Sequence, residues 1–196
     1  ANVKIAIIDT GIDSSHPMLQ GKIIMAKDFT GKNDTSDLTG HGTHVAGIIT
    51  ANGGKNITGG ARFNFADPNQ ATGAAPGAFI LAGRVCRDRC FTSDIEKGIE
   101  WAVFQGARVI NLSLGGGNFG THCDGDRLAA KANWAVDQGV VVVASSGNDA
   151  AGVSSPACGS KVIAVGAVYQ RDVGPQDYSP VCTDNTTSTD QIVCFS

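Results

Sequence analysis

The chain has 196 residues, enough to bury a sizeable core as a single α/β domain. Its net charge is −3 and only 17% of its residues are charged, which excludes the basic footprint of a nucleic-acid or anionic-membrane binder. No apolar run approaches the roughly 18 residues of a membrane span, and 26 glycines suit a compact domain of tight turns rather than a disordered one.

Val3–Ile8 is a near-continuous apolar run that ends at Asp9-Thr10-Gly11. Such a run reads as a strand of a parallel sheet buried on both faces, and it leaves Asp9 at a carboxyl end, where open α/β sheets build their sites. The opening residues Ala1-Asn2-Val3-Lys4 are not a secretory signal peptide. Gly21–Ala26 fits a second short strand, and 27–38 a polar loop carrying Asp28, Asp34 and Asp37. Helix signals resume at His41 and run to about Ala51. In this stretch Gly40 and Gly42 are expected to clear bulk from around an imidazole, and Ala46 and Gly47 to allow close packing. Residues 52–75 are too long for an ordinary connection and read as a surface excursion or small hairpin.

Strands are expected at 79–85, 107–114, 140–144 and 161–168, and helices at 94–105 (capped by Thr92 or Ser93) and 126–137. This strand–helix alternation implies a mostly parallel, doubly wound sheet with helices on both faces, in one domain with no internal repeat. Beyond Tyr169 the sequence turns polar and turn-rich, and it ends in mid-connection at Ser196 without the closing helix such a domain would carry.

The six cysteines are even in number, which suits three disulfides and an oxidising, extracellular setting. Local pairing favours Cys86–Cys90 and Cys182–Cys194, leaving Cys123–Cys158. The competing zinc reading has only Cys86-x3-Cys90 and no second pair of matching spacing.

Three strand ends deliver Asp9, Ser113-Leu114-Gly115-Gly116 and Ser145-Ser146-Gly147-Asn148 to one edge, with His41 entering from its helix. A carboxylate can fix the tautomer of an imidazole and stabilise the imidazolium, and an Asn amide can donate to a developing oxyanion. Together these are the supporting parts of an acyl-transfer site. Each residue also has a plain structural role, as turn cap, surface histidine or turn asparagine. A His41/His44 metal pair lacks further ligands, so His44 reads as a packed, hydrogen-bonded histidine. Gly115-Gly116-Gly117-x-x-Gly120 lacks the lysine of a phosphate loop.

The chain resembles the subtilisin-like serine proteases (subtilases). The blocks are Ile5–Asp13 with His16-Pro17, His41–Gly47, Asn111–Gly116, Ser146-Gly147-Asn148 and Val162–Val168, all in the family's order. The resemblance implies that Asp9 is the triad aspartate, His41 the general base and Asn148 the oxyanion donor. It implies that Ser113, Leu114 and Gly115 pair with an extended peptide through main-chain hydrogen bonds. Ala144, Ser145, Ser146, Gly147 and the turn around Pro156 would line the pocket for the side chain before the scissile bond, where small residues favour a large or apolar group. The expected partners are a polypeptide substrate, a pro-region and the remainder of the same protease.

Three departures stand beside the resemblance. No serine lies in the family's Gly-Thr-Ser-Met-Ala type of block: Gly120-Thr121 is followed by His122, and Thr187-Ser188-Thr189 lacks the glycine. The catalytic domain is thus expected to be incomplete at its carboxyl end and inactive as this chain alone; the alternative is a non-catalytic peptide- or inhibitor-binding module. Met18 replaces an acid of the family's tight calcium site, although Asp28, Asp34 and Asp37 are candidate ligands for a weaker structural calcium, set against a solvated acidic loop. The chemistry itself calls for no cofactor. The extra cysteines point to a secreted enzyme with stapled surface loops.

Overall fold

The computed structural model describes residues 3–53 and 72–196. The chain divides into two compact units, Ala1–Asn111 with Gln138–Val140, and Leu112–Asp137 with Val141–Ser196.

The first unit is built on β1 (Lys4–Asp9), whose last five residues are all buried. Parallel pairing places β1 between β3 (Phe79–Arg84) and β4 (Val109–Leu112), with β2 (Ile23–Asp28) on the far side of β3. Side chains alternate across the sheet. Ile7, Ile80 and Ala82 therefore share one face, where they pack with Val45 and Ala46 of α1 (His41–Thr50) and with Ile12 and Leu19. Ile8 turns to the other face, against Gly98 of α2 (Thr92–Phe104). Each fully buried Ile or Leu contributes about 1.5–3 kcal/mol by leaving water, so this two-sided core anchors the strand that ends in Asp9.

The sequence misplaces some boundaries for local reasons. Neither Thr92 nor Ser93 caps α2: both lie inside it, and the N-cap is Phe91, whose carbonyl accepts from Asp94 N and Ile95 N. The strand expected at 107–114 is shorter, because Ala107 N is taken by Ala102 O and the chain leaves β4 after Leu112. Of the excursion at 52–75, residues 54–71 lie outside the described residues. Its base is closed by an antiparallel bridge between Asn52 and Thr72.

In the second unit β6 (Val141–Ser145) pairs in parallel with β8 (Ile163–Val165), and α3 (Arg127–Asp137) packs on β6. The Asp126 carboxylate caps α3 by accepting from Leu128 N and Ala129 N at 3.0 and 3.1 Å. β8 is shorter than the expected 161–168, because Lys161 N donates to Asn133 Oδ1 and Val162 N to Gly159 O. The sequence did not reveal two antiparallel pairs, β5 (Gly116–Phe119) with β7 (Val153–Ser155) and β9 (Gln176–Tyr178) with β10 (Cys182–Asp184). The three disulfides are Cys86–Cys90, Cys123–Cys158 and Cys182–Cys194, matching the local-pairing expectation.

Candidate active site

Asp9 is the last residue of β1 and is almost fully buried. Its carbonyl accepts from Val85 N at 2.8 Å, which fixes its backbone to the end of β3. Its Oδ1 accepts from Thr10 N at 2.7 Å and lies 2.7 Å from His41 Nδ1. A carboxylate can only accept, so Nδ1 is the donor and the neutral ring keeps its lone pair on Nε2. The His41 side chain is 50% exposed, and Asp9 is its only hydrogen-bond partner among the described residues. The other Asp9 oxygen, Oδ2, is buried without a partner among the described residues.

Two glycines bring α1 to this position, though not by clearing space around the ring as the sequence suggested. Gly40 is the N-cap with φ +84°, a left-handed conformation that glycine adopts without strain. Gly42 meets the loop that follows β1: a Cβ there would stand 2.1 Å from the Gly11 carbonyl oxygen and 3.3 Å from Asp9 Oδ1. A Cβ on Gly47, by contrast, would meet nothing within 4 Å among the described residues. His44 is exposed rather than packed, because the buried face of α1 is formed by Gly42, Val45, Ala46 and Thr50.

The three loop acids are each engaged in their own set of hydrogen bonds. Among the described residues no group of three or more His, Cys, Asp or Glu side chains stands together as metal ligands. Asp28 accepts from Thr30 N, Thr30 Oγ1 and Lys32 N. Asp34 accepts from Ser36 N and from Nη1 of the fully buried Arg84 at 2.8 Å. The Ser36 N–H and hydroxyl, then Arg84, bring its carboxyl down to about 2. Asp37 turns toward the start of α1. Burial pushes its carboxyl up, but hydrogen bonds from Thr43, Thr10 and Gly40 outweigh this and bring it to about 2. The sequence offered one signal for Asp37, an acid three residues before a cap position that has no side chain.

In the second unit Asn148 is exposed in the loop after β6, and its side chain has no hydrogen-bond partner among the described residues. Ala144 and Pro156 are buried, whereas Ser145, Ser146 and Gly147 are half-buried. Ser113, Leu114 and Gly115 form the irregular link between β4 and β5. Ser146 lines a cavity of about 450 Å³ together with Val153, Ala167, Ile192 and Ser196, and its Oγ lies 3.3 Å from Ser196 Oγ. None of the other residues expected to line the substrate pocket borders this cavity.

These features define a doubly wound α/β protein with a carboxylate–imidazole pair at a strand end. The Subtilase family model matches residues 1–196, and the chain belongs to that family. It is 44% identical over 176 residues to a thermophilic serine proteinase of Bacillus sp. (strain AK1), covering 86% of this chain and 39% of that protein. It is 41% identical over 181 residues to thermitase of Thermoactinomyces vulgaris, covering 88% and 57%. Among solved structures, a cold-adapted subtilisin-like serine proteinase superposes with a TM-score of 0.67 at 30% identity, covering 85% of this chain and 55% of that one. The chain thus spans about half the length of the relatives it matches. Among the described residues no helix is long and apolar enough to cross a membrane.

Proposed function

We propose that this chain supplies the acid–base and oxyanion groups of a secreted serine endopeptidase that cleaves polypeptides through an acyl-enzyme. The observation that carries this reading is the 2.7 Å contact between His41 Nδ1 and the buried Asp9 Oδ1, in a member of the subtilase family. The nucleophilic serine is supplied from outside these 196 residues, since none here stands in a Gly-Thr-Ser block. His41 Nε2 takes the serine proton as the hydroxyl oxygen bonds to the scissile carbonyl carbon. The carbonyl electrons move onto oxygen, where the Asn148 amide and a backbone N–H donate to it. Collapse of the intermediate breaks the C–N bond, and the leaving amine takes the proton back from Nε2. Water then repeats the sequence on the ester. Asp9 keeps the ring in the required tautomer and stabilises its cation throughout. Ser113–Gly115 pairs with the extended substrate, and Ala144–Gly147 with Pro156 shapes the pocket beside the scissile bond. Three disulfides favour an oxidising compartment. A pro-region and the rest of the same polypeptide are the expected partners.

A fluorophosphonate serine probe tests the reading. The full-length parent should label at a serine beyond residues 1–196, His41→Ala should abolish that labelling, and the 196-residue chain should stay unlabelled. An unlabelled parent, or a labelled 196-residue chain, overturns it.

A further inference from the structure

Asp37 has no part in the proton relay described above, yet its carboxylate accepts six hydrogen bonds. Oδ1 accepts from Thr10 Oγ1 at 2.9 Å, Gly40 N at 2.9 Å, Thr39 N at 3.1 Å and Thr39 Oγ1 at 3.2 Å. Oδ2 accepts from Thr43 N at 2.8 Å and Thr43 Oγ1 at 2.7 Å. Thr10 Oγ1 also accepts from Gly42 N at 3.0 Å. One carboxylate therefore holds the residue that follows Asp9 and, directly or through Thr10, both residues that flank His41.

Part of this set is ordinary helix capping. Gly40 has no side chain to offer the free N–H groups of the first turn, and Asp37 serves them from three residues upstream. The bond from Thr10 is different, because a helix cap needs no link to the end of a neighbouring strand. That link fixes the spacing between β1, which carries Asp9, and α1, which carries His41. Among the described residues the half-exposed His41 ring is held by a single hydrogen bond, so its distance from Asp9 follows the seating of α1. The Asp37–Thr10 link sets that seating together with the packing of Val45 and Ala46 on Ile7, the close approach of Gly42 to Gly11, and the bond from Asp13 N to Thr43 Oγ1 at 2.9 Å.

We propose that Asp37 is a positioning residue: acting through Thr10 and the first turn of α1, it fixes the approach of His41 Nδ1 to Asp9. The proposal rests on the reading of Asp9 and His41 as a proton relay and deepens it. A displacement of about 1 Å in such a pair costs about 10²-fold in turnover.

The experiment uses the full-length parent with Asp37→Asn, Thr10→Val and Thr10→Ser. It reads the exchange-slowed Hδ1 proton resonance of His41, assigned by its loss in His41→Asn, together with kcat, KM and Tm. Asp37→Asn and Thr10→Val should broaden or abolish the resonance and lower kcat about 10²-fold with KM unchanged. Thr10→Ser keeps the hydroxyl and should preserve both. If Thr10→Val retains the resonance and kcat while Asp37→Asn lowers only Tm, Asp37 is a helix cap alone and the proposal fails. Should Asp37→Asn not fold, the Thr10 pair decides by itself. A parent that shows the resonance and its dependence on Asp37, but neither labels nor cleaves peptides, refutes the protease reading and leaves the positioning role standing.

Discussion

The region around Asp9 and His41 and the region around Asn148 are held in opposite ways. In the first unit the Asp37 carboxylate, Thr10, Gly42 and Val85 N each tie one end of the carboxylate–imidazole pair to a neighbouring element. In the second unit the Asn148 side chain is exposed and unpartnered among the described residues, and the chain around it is held by backbone bonds from Ser146 N to Val165 O, Ser154 N to Ser146 O and Ala150 N to Phe195 O. In the function proposed above, the base must already hold the correct tautomer before substrate arrives, which demands a built site. An oxyanion donor also gains from being preorganised, so an exposed Asn148 would act only once bound substrate completes its surroundings.

The contrast is broken first by activity. In the full-length parent His41→Ala should lower kcat by about 10⁶, whereas Asn148→Ala should cost about 10²–10³. Equal losses, measured by steady-state hydrolysis of one peptide, would mean that the two regions are equally preorganised.

Stability gives the next separation. Gly42→Ala forces a methyl into the Gly11 carbonyl, which is backbone and cannot rotate away, and should cost about 3 kcal/mol or more in urea unfolding. Removing the Cys123–Cys158 pair by double alanine substitution opens the longest covalent loop in the second unit and should cost about 2–4 kcal/mol. A neutral Gly42→Ala would show that α1 can move off β1 without penalty.

The smallest effect is set by pH. Asp34 and Asp37 are lowered from 3.8 to about 2, so the stability they contribute is fully present above pH 3.8 and is lost as pH falls through about 2. The urea midpoint should hold steady down to about pH 4 and then decline, and Asp37→Asn should flatten part of that decline. A midpoint independent of pH across this window would remove both carboxylates from the account.

The first of these regions was the more legible in the sequence. The near-continuous apolar run Val3–Ile8 reads as a two-sided buried strand, and the Gly-His-Gly sequence at the head of an apolar-periodic segment marks a helix start. The short loops of Cys86–Cys90 and Cys182–Cys194 left one pairing for the third disulfide. What stayed hidden depends on distant partners. Gly116 and Gly117 carry no strand propensity and join a sheet only because Val153–Ser155 lies alongside. Asp37 looked like one acid among several on a loop, because nothing local announces that Thr10 comes to meet it. His44 reads as packed because it lies one turn further into the helix than His41, yet the buried positions of α1 are Gly42, Val45, Ala46 and Thr50, and His44 is exposed.

The parallel pairing of β1 with β3 also sets when the end of β1 can be fixed. Lys4 must find Phe79 before Val85 N can fix the Asp9 backbone, and closing a loop of that length costs on the order of 4 kcal/mol in chain entropy. Asp9 and His41 both precede β3 in the sequence, so the bond from Val85 N to the Asp9 carbonyl is added only once β3 has arrived. A nascent chain that has emerged only as far as α1 would carry Asp9 and His41 without the β3 bond that fixes the Asp9 backbone.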